Sequence, residues 1–301
     1  MENLIIKKIL VPIDYSNLSL NALDYAVHMS QDYESTIHLL HVIDPDTYLT
    51  ISEHGVELDL TRENVIQREN RKLAKLAESV TSKHPITVIP MCVVGSVVSE
   101  IIKIAEYHAV DMIVMGTHGI SGFKSFFMGT NAFDVSKKAS CPVLTIPNEK
   151  KWKNFEKVLF PVRTIPNALH KYEFARKIIT KHQSELIILA LLDDDSSKKS
   201  NYLDQELKAL NEKLVEDNIK GYSIFTYTDS VAHAALRKSD ELDIDLMIIT
   251  ADFSYSIEDY FVGPFAQQVL NHAKIPVLSV RPQEEPAKAE KTLTDETVSS
   301  N

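Results

Sequence analysis

The chain has 301 residues, which is enough for two domains that each bury a core of their own. Hydrophobic residues make up 44% of it and charged residues 25%, a composition that excludes a fibrous or wholly disordered protein. Its formal net charge of −10 argues against binding to nucleic-acid phosphates or anionic lipid, which needs clustered Lys and Arg. We therefore expect neither nucleic acid nor a membrane among its partners.

The first residues and the cysteines indicate a cellular compartment. The segment MENLIIKKILVPID has no apolar stretch long enough for a signal peptide or a membrane span. Cys92 and Cys141 are far apart and lack the spacing of metal ligands, which is typical of a reducing compartment. We expect a cytoplasmic protein with no disulfide framework and no metal site.

Patterns of buried strands alternate with patterns of helices along the first half of the chain. The first predicted strand, ILVPI (9–13), precedes a helix whose apolar residues share one face and for which Ser16 suits the N-cap. The further strands are predicted at 37–43, 86–94, 112–115 and 143–146, and the further helices at 66–80, 97–108 and 131–138. This alternation predicts a parallel, doubly wound sheet with helices on both faces.

The same pattern occurs a second time. KILVPID (8–14) recurs as KVLFPVR (157–163) at an offset of 149 residues, and DMIVMGT (111–117) recurs as DLMIITA (245–251) at an offset of 134. The smaller offset places a deletion in the second copy, opposite the polar stretch around 45–64. A repeat of this length is a duplicated domain.

The domain boundaries follow from this repeat. We predict a first domain over 1–148 and a second over 155–283, joined by the polar linker PNEKKWKN (147–154). Residues 284–301 contain few apolar side chains, so a disordered tail is predicted there.

Half of the eight glycines lie in one stretch, GTHGISGFKSFFMGTN (116–131), between a predicted strand and a predicted helix. Glycine lets backbone N–H groups turn toward a ligand and lets the ligand come close. The helix N-terminus adds N–H donors and a positive dipole end, which suit a phosphate chain, and Thr130 can add a hydroxyl. The alternative is a flexible loop whose glycines only make turns.

The place of this loop in the fold favours a binding site. Ligands of open α/β sheets bind beyond the carboxyl ends of the strands, where the strand order reverses. If the first strand neighbours the fourth, Asp14 faces the loop and can bind a ribose hydroxyl or an adenine amino group. Asp14 can instead cap the turn into the first helix.

These residues resemble the universal stress protein family, whose ATP-binding members carry G-x2-G-x9-G-[ST] after the fourth strand. Gly116, Gly119, Gly129 and Thr130 match this motif at that spacing. The resemblance covers nearly the whole chain except the linker and the tail. It implies two tandem, doubly wound, open parallel sheets of five strands in the order 3-2-1-4-5.

The resemblance also implies ATP as the ligand, with Mg²⁺ held through the phosphates. In the family, the loop amides and the hydroxyl hold the phosphates, the aspartate after strand 1 contacts the nucleoside, and the backbone at the end of strand 2 meets adenine. The implied site residues are Pro12, Asp14, Val42, Gly116, Thr117, His118, Gly119, Gly129, Thr130 and Asn131.

The second copy departs from the motif. Its loop, ADFSYSIEDYFVGPF (251–265), keeps only Gly263, and Arg163 stands where Asp14 stands in the first copy. Pro264 removes a backbone donor, and three acidic side chains in the loop would repel a triphosphate. We expect ATP in the first domain alone, and a different ligand for the second domain stays open.

Other functional classes have less support. There is no GxxxxGK[ST] loop, and no G-x-G-x-x-G follows the first strand, which disfavours a P-loop NTPase and a dinucleotide dehydrogenase. His38 and His41 lie three residues apart in a strand, on opposite faces, and are interpreted as packed or partly exposed histidines. No nucleophile–base pair stands out, so we expect a protein that is not an enzyme, with slow ATP hydrolysis at most.

The leading hypothesis is a nucleotide-responsive stress or regulatory protein in which ATP changes the shape or contacts of the first domain. The alternatives are an interaction module whose glycine loop is structural and a slow ATP-hydrolysing enzyme. Family members commonly dimerise through strand 5, here VLTI (143–146) and VLSV (277–280). Since an apolar edge strand tends to find a partner, we predict that the two copies pair within one chain, and association of two chains into a homodimer stays open.

Overall fold

The computed structural model describes residues 6–45, 62–117, 130–147, 150–164, 169–192, 197–251 and 265–281. The first copy consists of β1 (Lys8–Pro12), α1 (Asn17–Tyr33), β2 (Thr36–Ile43), α2 (Arg62–Thr81), β3 (Thr87–Val94), α3 (Val97–Tyr107), β4 (Met112–Gly116), α4 (Thr130–Lys138) and β5 (Val143–Ile146). The second copy consists of β6 (Lys157–Arg163), α5 (Tyr172–His182), β7 (Glu185–Leu192), α6 (Ser197–Glu216), β8 (Gly221–Tyr227), α7 (Val231–Glu241), β9 (Leu246–Thr250), α8 (Phe265–His272) and β10 (Val277–Val280).

The strands form one continuous sheet in the order β3-β2-β1-β4-β5-β10-β9-β6-β7-β8. Within each copy all neighbours are parallel, and each copy has the predicted order 3-2-1-4-5. The strand order reverses between β1 and β4, so a crevice is expected at the carboxyl ends of these two strands.

The core lies in two layers, one on each face of the sheet. Alternate residues of β1 divide between them: Ile9 and Val11 belong to the layer on the face covered by α1, α2, α5 and α6, and Leu10 belongs to the layer on the face covered by the other four helices. Such burial on both faces explains why the strands are nearly continuous apolar runs. The predicted doubly wound arrangement is confirmed.

The two copies join through β5 and β10, as predicted, and the structure shows that these strands pair in antiparallel orientation. Leu144 lies opposite Leu278, and both side chains are fully buried. The Thr145 hydroxyl donates to the Val277 carbonyl at 3.2 Å. Buried leucines and shared backbone bonds therefore make the joint part of the core.

The linker between the copies packs against the fold. The Trp152 ring stacks on His28 with centroids 5.1 Å apart and contacts Tyr25 and Phe155 edge-on, each at 5.2 Å. The Tyr25 hydroxyl donates to the Lys151 carbonyl at 2.9 Å. The segment thus ties α1 of the first copy to the start of the second.

The predicted deletion lies between strand 2 and the following helix. Residues 44–61 connect β2 to α2, whereas residues 193–196 alone connect β7 to α6, and the two helices have equal length. Among the residues described, no helix has the length and apolar character needed to cross a bilayer.

Candidate functional site

The candidate site lies where β1 and β4 end side by side. The two strands pair in parallel with Leu10 opposite Ile113, and this register, continued past the strand ends, sets Asp14 level with Thr117. Pro12 is the last residue of β1 and is half-buried. The structure therefore brings the predicted aspartate to the end of the strand that precedes the glycine loop.

Gly116 is the last residue of β4, and the first turn of α1 passes directly over it. A Cβ atom at this position would lie 3.0 Å from both the carbonyl carbon and the carbonyl oxygen of Leu18. Because these are backbone atoms of a helix, a side chain here would have to displace α1. Glycine at 116 thus allows a close approach between strand and helix, in addition to any role toward a ligand.

The carboxylate of Asp14 holds the turn between β1 and α1. Its Oδ1 accepts hydrogen bonds from the Ser16 backbone N–H at 3.0 Å and from the Ser16 hydroxyl at 2.6 Å. Ser16 in turn is the N-cap of α1, as predicted, since its Oγ accepts from the Ser19 N–H at 3.2 Å. These bonds fix the orientation of the Asp14 carboxylate at the end of β1.

Tyr15, which no sequence motif marks, forms the wall beside Asp14. Its φ of 64° is in the left-handed region, which is uncommon for a residue with a large side chain. The ring contacts His41, with centroids 4.8 Å apart, and the Lys72 ammonium lies 3.4 Å from the ring centroid. Burial, aided by the charge of Glu69, raises the pKa of the Tyr15 hydroxyl well above its ordinary value.

The backbone of Val42 faces the same crevice. The Leu40 carbonyl accepts from the Ile13 N–H at 2.7 Å, so Leu40 faces β1. Since peptide groups alternate in direction along a strand, the N–H and C=O of Val42 also point toward the β1 side. The last residue pair between β1 and β2 is Pro12 with Leu40, so Val42 lies two residues beyond the paired part of β2.

Of the stretch that contains the glycine loop, the structure describes only the two ends. His118, Gly119 and Gly129 lie outside the described residues. Thr117 is buried and donates its N–H to the Ile146 carbonyl at 3.1 Å. Thr130 and Asn131 form the exposed first turn of α4.

The histidines of β2 are packed, as predicted. His38 is buried with its ring 4.9 Å from that of His108. His41 lies on the other face, where its Nδ1 is 2.7 Å from the Ile13 carbonyl oxygen. In the described part of the chain, no group of three or more His, Cys, Asp or Glu side chains is placed to hold a metal ion.

A sequence model described as the universal stress protein family matches residues 6–147 and again residues 154–281. The chain belongs to the universal stress protein family. Its two matched segments are two universal stress protein domains in tandem.

Single-domain relatives match about half of the chain. A universal stress protein of Methanocaldococcus jannaschii is 29% identical over 145 residues, which are 48% of this chain and 84% of that protein. Universal stress protein YxiE of Bacillus subtilis is 31% identical over 145 residues, covering 46% of this chain and 97% of the relative. The solved structure of a universal stress protein from Archaeoglobus fulgidus covers 94% of this chain and 99% of its own, with a TM-score of 0.72 at 21% identity. At that identity, the likeness establishes the tandem fold alone.

The second universal stress protein domain lacks the opening that Val42 faces in the first. β6 runs two residues further than β1, and its last residue, Arg163, pairs with Leu191 of β7. Leu191 is the counterpart of Val42 at the offset of 149 residues. The Arg163 guanidinium also lies 4.4 Å from the centroid of the Phe265 ring. In the first domain the backbone of Val42 lies beyond the strand pairing and faces the crevice. In the second domain the pairing with Arg163 occupies the backbone at the equivalent position, Leu191.

A buried lysine further distinguishes the second universal stress protein domain. The side chain of Lys171 is 3% exposed, and its Nζ donates to the Pro161 carbonyl near the end of β6. The amine also lies 4.4 Å from the centroid of the Phe160 ring. Burial, and secondarily the positive charge of Arg163, holds the pKa of Lys171 well below its ordinary value. Alanine, Ala22, occupies the corresponding position of the first domain.

Replacing Gly116 with alanine should destabilise the first universal stress protein domain by about 1–3 kcal/mol, the usual cost of overpacking. The new methyl group would meet the backbone of Leu18, which cannot rotate away. Gly95→Ala is the matched control, because the atoms nearest to a Cβ there belong to the side chain of Glu100, which can move aside, and not to the backbone. Urea unfolding should show the larger loss for Gly116→Ala, and equal losses would contradict the assigned packing.

Proposed function

We propose that the first domain binds ATP in the crevice at the ends of β1 and β4, and that the chain is a cytoplasmic, nucleotide-responsive regulatory protein. The observation that carries this proposal is the convergence of Asp14, Gly116 and the backbone of Val42 around one strand-order reversal. The sequence motif that begins at Gly116 supplies the glycines and the hydroxyl suited to phosphates.

The direction of the Val42 backbone supports adenine as the base. A carbonyl oxygen at this position can accept a hydrogen bond from the amino group at N6 of adenine. Guanine carries an oxygen at the equivalent position, and two acceptors facing each other would lose this bond. Asp14 would then accept from the ribose, and the amides at the start of α4 would meet the phosphates, with Mg²⁺ held through the phosphates.

A groove offers a physical route from this site to the second domain. It begins at Thr117 and has a volume of about 1090 Å³. Residues of α7 and α8, among them His233, Arg237 and Gln268, line its other side. A triphosphate held after β4 would therefore lie beside the second domain, and its binding or release would alter the charge at this groove.

The rival proposal, an interaction module with a structural loop, also has a specific observation in its favour. The bonds from Asp14 to Ser16 and the packing of Gly116 under Leu18 give both residues a role without any ligand. Direct measurement of nucleotide binding separates the two proposals. We propose no catalytic role, and a phosphate-release assay on the same samples tests that point.

Calorimetric titration of the full chain with ATP and Mg²⁺ should give one site per chain, with GTP binding at least about tenfold more weakly. Asp14→Asn and Asp14→Ala should each weaken ATP binding by about tenfold or more, since a hydrogen bond to a charged group is lost. Arg163→Ala, at the equivalent position of the second domain, should leave ATP binding unchanged.

Asp14→Asn keeps an acceptor oxygen for Ser16, so it separates loss of the ligand contact from loss of the turn. Circular dichroism should show that this variant keeps the fold. Two sites per chain, or unchanged affinity in both Asp14 variants, would contradict the proposed site. Rapid phosphate release would instead favour an enzyme.

A further inference from the structure

The outer strand of the second domain, β8, has a neighbour on one side only. It pairs in parallel with β7, and within the described ranges no strand pairs with its other side. An exposed strand edge of this kind presents unpaired N–H and C=O groups in a row and is a template for a further strand.

The backbone bonds at both ends of β8 show which residues form this row. The Lys220 carbonyl accepts from the Leu186 N–H, and the Thr228 N–H donates to the Leu192 carbonyl. The N–H and C=O groups of the even-numbered residues of β8 therefore point toward β7, and those of the odd-numbered residues point away from it. The outward row consists of Gly221, Ser223, Phe225 and Tyr227.

The opposite edge of the sheet, β3, is blocked at the equivalent place. Pro90 pairs in register with Leu39, and Ser223 pairs with Ile188, which is the counterpart of Leu39 at the offset of 149 residues. The Gly95 N–H donates to the Ile43 carbonyl, so odd-numbered residues of β3 face β2 and Pro90 faces outward. Proline has no N–H, a common means of preventing edge pairing, and β8 carries a serine instead.

Large apolar side chains lie exposed beside the open edge. Phe225 and Tyr227 of β8 are 53% and 65% exposed, and Val215 of α6 is 82% exposed. Phe225 and Val215 line one groove between the strand and the helix. Large apolar side chains in such numbers at one edge indicate a surface that is covered in a complex.

The helix wall of the same groove is predominantly acidic. Asp204, Glu212 and Glu216 line it together with a single basic residue, Lys208. In a two-fold antiparallel pairing of β8 with a second copy, both α6 helices would lie on the same face of the extended sheet. Their carboxylates would then approach one another, which disfavours a second copy as the occupant.

We propose that the outer edge of β8 binds an extended segment of a partner protein as an eleventh strand, with basic side chains of that segment facing α6 and apolar side chains on the other face. The outward row of β8 supplies backbone bonds, and the carboxylates of α6 select the charges of the basic side chains. Phe225 and Tyr227 lie on the α6 face and contact the alkyl stems of these basic side chains, whereas the half-exposed Tyr222 lies on the other face beside the apolar side chains. This inference does not depend on nucleotide binding by the first domain.

The test uses the full chain and a fluorescein-labelled peptide of eight residues in which lysine and valine alternate. Fluorescence anisotropy should show binding of this peptide and at least about tenfold weaker binding of a peptide with glutamate in place of lysine. Ser223→Pro should weaken binding of the lysine peptide by about tenfold or more, whereas the matched control Ser223→Ala should not. The double variant Glu212→Lys with Glu216→Lys should also weaken binding of the lysine peptide.

Ser223→Pro removes an N–H that points away from β7, so it should leave the fold and the melting temperature intact. Hydrogen exchange of the wild-type chain gives a second, independent readout. The amides of Ser223, Phe225 and Tyr227 should exchange more slowly when the peptide is present. Equal affinity of the wild type and Ser223→Pro, or equal affinity for the two peptides, would overturn the proposal.

Two further results would assign the edge to another occupant and overturn the proposal in the same way. The first is a dimer in sedimentation experiments that Ser223→Pro dissociates, without peptide binding. The second is slow exchange of the outward amides in the free monomeric chain, which would show that another part of the chain already covers them.

Discussion

Aspartate in place of both Leu144 and Leu278 should separate the two domains. These side chains lie opposite each other in the joint between β5 and β10 and are fully buried, so the variant would place two carboxylates side by side in an apolar core. Each uncompensated buried charge costs several kcal/mol, and the like charges repel. Small-angle scattering should report a larger radius of gyration and an elongated pair of domains.

A charge-paired variant provides the control for this experiment. Leu144→Asp combined with Leu278→Lys removes the same leucines but places opposite charges face to face, so it should recover part of the compactness. Ile89→Asp adds a carboxylate to the exposed outer strand β3 and should leave the scattering profile unchanged. An unchanged radius of gyration in the double aspartate variant would contradict the assigned joint.

Lys171→Met should stabilise the protein at neutral pH and remove part of its pH dependence. In the unfolded chain the amine stays protonated up to its ordinary pKa of about 10.4. In the folded chain, burial holds the pKa of Lys171 well below that value. Between the two pKa values the unfolded state binds one proton more, so the stability of the wild type rises with pH across this window. The slope is at most about 1.4 kcal/mol per pH unit.

Urea unfolding between neutral pH and pH 10 tests this prediction. The advantage of Lys171→Met over the wild type should be largest at neutral pH and should shrink as the pH rises. Methionine also leaves the Pro161 carbonyl without its donor, a loss of about 1 kcal/mol that does not vary with pH. Lys181→Met, at an exposed position of the same helix, is the matched control. Parallel pH profiles for Lys171→Met and the wild type would contradict a neutral buried amine.

The positions of the strands and helices and the duplication could be predicted from local patterns and from the repeat, whereas the strand order and the pairing of the two copies through strand 5 came from the resemblance to the universal stress protein family. Strands buried on both faces read as apolar runs, and the offsets of 149 and 134 residues are enough to locate the deletion. Ser16 as N-cap followed from its place before an apolar helical pattern. The apolar strands, the repeat and the N-cap can each be recognised from short stretches of sequence.

The rest of the site depends on contacts between distant segments. Tyr15 combines a left-handed backbone with packing of its ring on His41 and Lys72, and no local signal in the sequence marks this residue. The extension of β6 to Arg163 depends on pairing with a strand some 28 residues away, at Leu191. Lys171 reads as an ordinary lysine at the start of a helix until the fold places its amine against Pro161. Local sequence patterns do not indicate contacts between residues that are far apart along the chain.

The difference between the two outer strands, β3 and β8, also determines at which end further strands can be added to the sheet. In a homodimer of identical subunits, symmetry makes both ends of the joined sheet the same, so they are either both closed or both able to extend into a filament. Covalent fusion of the two copies removes that constraint, and here Pro90 closes one end while Ser223 leaves the other available. The two ends of the sheet therefore differ: the β3 edge is closed and the β8 edge can accept a strand. Because only one edge is open, chains cannot join end to end into a polymer through these edges.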